Sequence, residues 1–371
     1  MKTRKITASI MAAAMALTFV SCEKSEEKTE NKTDTTVAET TAATETTTEA
    51  ETTEAATEVT TVAEDEASDA TIEELLGATA DINDFITATD INPPVWKVTD
   101  PATGNSIHLL GTIHLLPVSV TEYPADIMEI YNNCDSIAVE YDITALATDA
   151  NAQLEYANGL LYQDGTTVKD HISEGSYTKA KEYFEGIGAY SEMLDQYTTG
   201  YWINQLTSVM LLRLENMQLS GTDSYFIAMA QQDGKEIINI EDLSIQTNAL
   251  NAYSDELADF TISDVIDSMD EIDEFAAEFA EMYNAWAEGS GEIAADSDVD
   301  LDELPDELKD DYDEYMNVVF DSRNANMAEK ASQYLKEGKN CFYMVGAGHY
   351  SGENGVDDLL EDMGYTVEKL S

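Results

Sequence analysis

Apolar positions along this chain fall into two patterns, short unbroken runs and stripes that repeat every three or four residues, and the two alternate. Residues 107–110 (IHLL) follow the turn residues Pro101 and Gly104 and stop at Gly111, which predicts a buried strand. Residues 122–133 place Ile127, Ile130 and Tyr131 on one side of a helix. Residues 136–141 (SIAVEY) are a second buried strand, and this strand–helix–strand rhythm predicts parallel pairing. From about 154 to 217 the spacing of Tyr, Leu and Met is helical. A further helix is predicted over 223–232, closed by Gly234, and then a strand over 235–240 (KEIINI). Residues 254–315 read as an acidic helical stretch and 323–336 as an amphipathic helix. A strand over 340–345 (NCFYMV) ends at Gly346, before a helix over 355–363 and a last strand over 365–370.

The pattern predicts an α/β fold. Its mainly parallel or mixed central sheet is built from the N- and C-terminal segments, with a large helical insertion at about 150–335. No long linker splits residues 71–371, so they are expected to form one domain.

Composition changes the picture at the N-terminus. The chain has 371 residues, 75 acidic and 18 basic, for a formal charge of −57. Residues 1–21 predict an export signal: Lys2, Arg4 and Lys5 precede a short apolar run over 10–20. Phe19-Val20-Ser21-Cys22 then resembles a bacterial lipobox, which makes Cys22 the expected lipidation site and mature N-terminus. The plainer alternative is an ordinary cleaved signal with an incidental cysteine. Residues 23–70 contain no aromatic, Leu, Ile, Met, Gly or Pro and carry a charge of −12. They have nothing to bury against the entropy of ordering them, so 22–70 reads as an extended tether to a membrane. The remaining −48 lies on residues 71–371. So acidic a domain has no footprint for nucleic acid. Nothing in the sequence sets the oligomeric state.

The chemistry concentrates at predicted strand ends. Gly111-Thr112-Ile113-His114 follows one strand, and Gly346-Ala347-Gly348-His349 follows another. Glycines there allow a sharp turn and close approach of a ligand, so Gly111, Gly346 and Gly348 are candidate cofactor-binding positions. Glu140 and Glu241 fall at equivalent places. In open α/β sheets ligands bind outside the carboxyl ends of the strands. Parallel packing would gather His114, His349, Glu140 and Glu241 at one edge, a donor set suited to Zn, Mn or Co. Alone, each is as readily a turn histidine or a surface carboxylate; four at equivalent ends point to a site.

Elsewhere, Asp296, Asp298, Asp300 and Glu307 mimic calcium-loop spacing, but Leu301 replaces the glycine of the turn and Pro305 interrupts it. A solvated acidic loop is the expectation. His108 is expected to be a core histidine and His171 an exposed one. Cys134 and Cys341 are expected as buried thiols, or a disulfide if their strands are neighbours.

At these same residues the chain resembles the TraB/GumN family, which is similar to the Tiki metalloproteases. The resemblance rests on GTIHLLP at 111–117, VEYD at 139–142, Gly221-Thr222-Asp223, and Asn239-Ile240-Glu241 with Gln246. It continues through Trp286 and Gly289, Arg323-Asn324 and VGAGHYSG at 345–352. It implies a metal-dependent hydrolase, with His114, His349 and Glu140 associated with the metal. It also implies Arg323 as an oxyanion- or carboxylate-binding group; Glu241 would be base or further ligand. Ile240-Glu241-Asp242 departs from the family's usual Leu-Glu-Thr.

The expected protein is thus an extracytoplasmic, lipid-anchored hydrolase of peptides or similar acyl compounds. A surface protein that sequesters a peptide signal without cleaving it is the alternative, since some members resemble pheromone-shutdown factors.

Overall fold

The computed structural model describes residues 76–218, 220–291 and 304–371. The predicted signal, Cys22, the tether and the acidic loop at 296–300 lie outside them. Six strands form the central sheet: β1 (Val95–Thr99), β2 (Ser106–Thr112), β3 (Ser136–Val139), β4 (Glu236–Asn239), β5 (Cys341–Gly346) and β6 (Thr366–Lys369). Their order is β6-β1-β2-β5-β3-β4. β2, β5, β3 and β4 run parallel, whereas β1 is antiparallel to both its neighbours. The sheet is therefore mixed, within an α/β fold. β1 was not among the expected strands, although Val95, Trp96 and Val98 are its buried residues, with Lys97 and Thr99 only half-buried.

Alternation along the strands feeds two cores. Leu110, Ile137, Val139, Phe342 and Met344 face one side and join a large cluster with the helices of the chain's middle. Ile107, Leu109, Ala138, Tyr343 and Val345 face the other. There they meet Met327, Ala328, Ala331 and Leu335 of one C-terminal helix and Val356 and Leu360 of the next.

The principal helices are α1 (Ala125–Asn133), α2 (Glu174–Gly186), α3 (Thr199–Leu212), α4 (Thr222–Asp233), α5 (Leu243–Leu250), α6 (Asp255–Asp267), α7 (Ile272–Ala287), α8 (Ser322–Glu337) and α9 (Val356–Asp362). α7 shows why the acidic stretch folds. Phe275, Phe279, Tyr283 and Trp286 recur at three- and four-residue spacing and are all buried, so the acids are left to the other face. The helical pattern over 154–217 is not continuous. Gly165 and Gly188 adopt φ of 89° and 72°, a left-handed backbone that interrupts it between Ala150–Gly159 and Val168–His171 and between α2 and α3, while extended Ile172 and the N-cap Ser173 separate Val168–His171 from α2. Among the described residues, no helix is long and apolar enough to cross a membrane.

Close helix packing depends on Gly200. A Cβ there would lie 1.9 Å from the Leu250 carbonyl oxygen, so α3 touches the end of α5 backbone to backbone. Gly186, by contrast, has open space around it and ordinary backbone geometry. Gly200→Ala is expected to destabilise the fold by at least about 1–3 kcal/mol through forced displacement. Gly186→Ala should be neutral or stabilising by about 0.4–1 kcal/mol. Urea unfolding of both variants checks the contrast.

Candidate functional site

The carboxyl ends of four parallel strands lie at one edge of the sheet. Thr112 pairs with Gly346 across β2 and β5, and Val139 pairs with both Met344 and Asn239. The ladder continues one step further, because the Glu241 N–H donates to the Glu140 carbonyl at 3.0 Å. Register therefore delivers Glu140 and Glu241 side by side, and both are buried.

Arg323, in the first turn of α8, lies between them. Its Nη2 donates to Glu140 Oε2 at 2.6 Å and to Glu241 Oε2 at 2.8 Å, and its Nε donates to Glu241 Oε1 at 2.9 Å. Nη1 donates to the Val319 carbonyl at 3.1 Å. That carbonyl belongs to a π-helical turn, Asn317–Asp321, which leads straight into α8; such turns concentrate at functional sites. Gln246 of α5 adds a neutral donor, 2.5 Å from Glu241 Oε2 and 3.3 Å from Glu140 Oε2.

One guanidinium thus serves two buried carboxylates, and they respond oppositely. Burial opposes ionisation of Glu140, but Arg323, the two histidines and the Gly346 N–H outweigh it and hold the carboxyl down at about 2. Burial prevails at Glu241, whose pKa is raised despite Arg323, with the Glu140 charge adding to the rise.

His349 sits in the tight turn Ala347–Tyr350 directly after β5 and is fully buried. Its Nδ1 is 2.6 Å from Asn324 Oδ1. Asn324 Nδ2 donates to the Asn354 carbonyl at 2.8 Å, which turns the amide oxygen toward the ring. Nδ1 therefore carries the proton and Nε2 the lone pair. That Nε2 is 3.6 Å from Glu140 Oε1, too far for a hydrogen bond, and has no hydrogen-bond partner. Burial, and then Arg323, press the ring's pKa down to about 3, so it is neutral near pH 7.

His114 is built by a different device. Gly221 presses its Cα against the chain at His114: a Cβ there would lie 2.3 Å from the Ile113 carbonyl oxygen and 2.4 Å from His114 Cα. The Thr222 N–H donates to the Ile113 carbonyl at 2.8 Å, and the Tyr123 hydroxyl donates to Thr222 Oγ1 at 2.9 Å. This clasp brings Asp223, in the first turn of α4, to 3.1 Å from His114 Nδ1. The imidazole keeps 19% of its surface exposed, yet its Nε2 is shielded and unpartnered. Burial disfavours the charged ring, but Asp223 outweighs it and raises the pKa; the charges of Glu140 and Arg323 also reach it.

A sequence profile of the TraB/PrgY/gumN family matches residues 94–369. The chain belongs to this family. Similar curated proteins are named Metalloprotease TIKI2, from Xenopus tropicalis and Danio rerio. Each is 22% identical, over 78% of this chain and 60% of the former, and over 75% and 61% for the latter. Metalloprotease TIKI1 of Danio rerio is 20% identical over 75% of this chain and 63% of its own length. The chain thus spans about three fifths of the curated relatives it matches. No solved structure matches significantly.

The structure places the remaining expected residues as follows. At Gly346 the space beside Cα is taken by Glu140 Oε1, 3.2 Å from where a Cβ would sit, and the Gly346 N–H donates to that oxygen at 2.7 Å. At Gly111 it is taken by Pro94 and Ala347, while Trp286 Nε1 donates to the Gly111 carbonyl at 2.9 Å. These two glycines make room for the protein's own atoms, and Gly348 lies half-buried in the turn that carries His349. Among the described residues, no three His, Cys, Asp or Glu side chains converge as a ready-made metal cage.

Other expectations change. His108 is only half-buried and lines a cavity of 320 Å³ with Ile127, Ile130, Cys134 and Asn340; burial and nearby Lys97 lower its pKa. His171 is half-buried, stacked on Tyr162 with ring centroids 4.1 Å apart and held between Thr166 and Asp255. Cys134 and Cys341 are free buried thiols, the first of the two expectations, and the disulfide does not form although β3 and β5 are neighbours. Their side chains join the cores on opposite faces of the sheet, so the strands' adjacency does not bring them together.

Three contributors carried no assigned role in the sequence: Asp223, Gln246 and Asn324. Their signal was position. Asp223 opens a helix after glycine, and Asn324 neighbours Arg323, so the two point about 100° apart around α8, one to the carboxylates and one to His349.

Arg323→Ala leaves two carboxylates buried against each other and is expected to cost about 3–5 kcal/mol. Arg323→Lys, a point charge without the planar fork, should recover only part of that. Chemical unfolding of the three proteins measures it.

Proposed function

We propose that this protein is a metal-dependent hydrolase of peptides or similar acyl compounds, working outside the cytoplasm on a lipid tether at Cys22. The observation that carries the reading is a pair of imidazoles whose Nε2 atoms are buried without a partner: His349 is hydrogen-bonded through Nδ1 to Asn324 and lies 3.6 Å from an ionised Glu140, and His114 has its Nδ1 3.1 Å from Asp223. An orphaned buried acceptor costs about 1–3 kcal/mol unless something fills its place. Donation of the far ring nitrogen to an amide or carboxylate is the habit of metal-bound histidine. The donor types suit a divalent transition cation, Zn, Mn or Co, with His114, His349 and Glu140 as its proposed holders, although the three do not converge as a ready-made cage without it. The names of the TIKI relatives support the same direction.

A cation bound there would supply a Lewis acid and a more acidic water. The chain's own groups divide the rest. His349, neutral and locked, presents a lone pair at neutral pH. Arg323 is committed to the two carboxylates, so in this reading it keeps Glu140 ionised and leaves oxyanion binding to other groups. Both oxygens of Glu241 are occupied by Arg323 and Gln246, which makes it a support for Glu140. Location and anchoring rest on the N-terminal signal pattern and on Cys22.

Two experiments test the reading. Full-length protein incubated with a peptide library should yield new fragments by mass spectrometry, and chelator should abolish them. His114→Ala and His349→Ala should each lose metal uptake by elemental analysis; full uptake in both defeats the proposal. Peptides retained intact would favour sequestration without cleavage. Separately, Cys22→Ser in the exporting cell should abolish the diacyl mass increment and release the protein from the membrane fraction. Unaltered membrane retention would refute the anchor.

A further inference from the structure

We infer that Asp223 and Asn324 are unlike positioning residues that make the two histidines unequal donors: His114 is backed by a carboxyl group, His349 by an amide. The inference rests on the metal-site reading and deepens it.

The two rings come from equivalent Gly-x-x-His segments at the ends of β2 and β5, yet their Nδ1 atoms meet different chemistry. Asn324 is buried, with its oxygen on His349 and its nitrogen donating to the Asn354 carbonyl. It can only accept from the ring, so it fixes the Nδ1–H tautomer and aims Nε2 toward Glu140. It adds no charge, which suits a ring already beside the Glu140–Arg323–Glu241 cluster. An aspartate at 324 would place a further carboxylate next to that buried set. Asp223 differs on both counts. Its Oδ2 faces His114 Nδ1 at 3.1 Å and has no hydrogen-bond partner, and the group is a carboxyl rather than an amide. A carboxylate behind an imidazole raises the basicity of the opposite nitrogen, and such partners typically govern 10–100-fold in metal affinity. His114 is also the ring with surface still exposed, so the stronger donor stands at the accessible side of the pair.

The test has two readouts. The first is the tautomer of each ring in the metal-free, full-length protein labelled with ¹⁵N-histidine; the chain's four histidines make assignment by single substitutions practical. His349 should show only Nδ1–H, and Asn324→Ala should introduce the Nε2–H form. The second is titration with Zn²⁺ alone. Asp223→Asn, which keeps shape and an acceptor but removes the charge, should weaken binding about 10–100-fold. Asp223→Glu should restore part of it, a rescue that a merely structural role would not show. A wild-type His349 carrying Nε2–H, or Asp223→Asn that binds Zn²⁺ like the wild type, overturns the inference. If the wild type binds neither Zn²⁺ nor Mn²⁺ or Co²⁺ titrated in its place, the metal-site reading falls and the donor inequality falls with it; the tautomers, read without metal, then still show whether Asn324 orients His349.

Discussion

Three charged groups locked together inside the protein, Arg323 between Glu140 and Glu241, are the constraint on which the rest of the site depends. Burying charge is costly, and a pair is tolerated only when geometry is good and every remaining lone pair is met. Here the Gly346 N–H, Gln246 and the Val319 carbonyl complete the set. The cluster ties the ends of β3 and β4 to the start of α8, three segments far apart in sequence. It also decides protonation: the same guanidinium that keeps Glu140 ionised helps keep His349 neutral. An ionised carboxylate and an uncharged imidazole thus stand 3.6 Å apart.

The two histidines reach this cluster through repeated sequence and unrelated support. His349 is set by a turn whose amide partner lies next to Arg323 on α8, so a single helix orients both the carboxylates and the ring. His114 is set by the clasp at 221–223, where only glycine allows α4 to start against the backbone of another segment. The π-helical turn before α8 belongs to the same economy, since it aims Arg323 inward while Asn324 turns toward β5.

Much of the fold was legible because burial imposes period. Short apolar runs bounded by turn residues, such as 107–110 and 341–345, became strands of the central sheet, and α7 carries its apolar stripe through an otherwise acidic region. The breaks within 154–217 were not legible, because glycine in a helical pattern is tolerated often enough that it does not announce a turn. β1 escaped notice because a five-residue strand beside two prolines is a weak signal. The cysteines show the limit of adjacency, since Cys134 ends α1 before β3 begins and packs in one core while Cys341 of β5 packs in the other.

By itself the sequence determined which groups of the candidate site stand at strand ends: two glycine-led histidines and two glutamates, each placed by a local apolar run that stops. It also determined the acidity and the character of the N-terminal segment, which are sums over composition. Tertiary structure alone decided what those groups are bonded to. Arg323 became the counter-ion of two carboxylates, and Asp223 and Asn324 became the partners of the two rings. The glycines at 111 and 346 became room for Pro94, Ala347 and Glu140. The reason is physical: a strand's period is set by neighbours a few residues away, whereas a buried charge is satisfied by whichever element folding brings within about 3 Å.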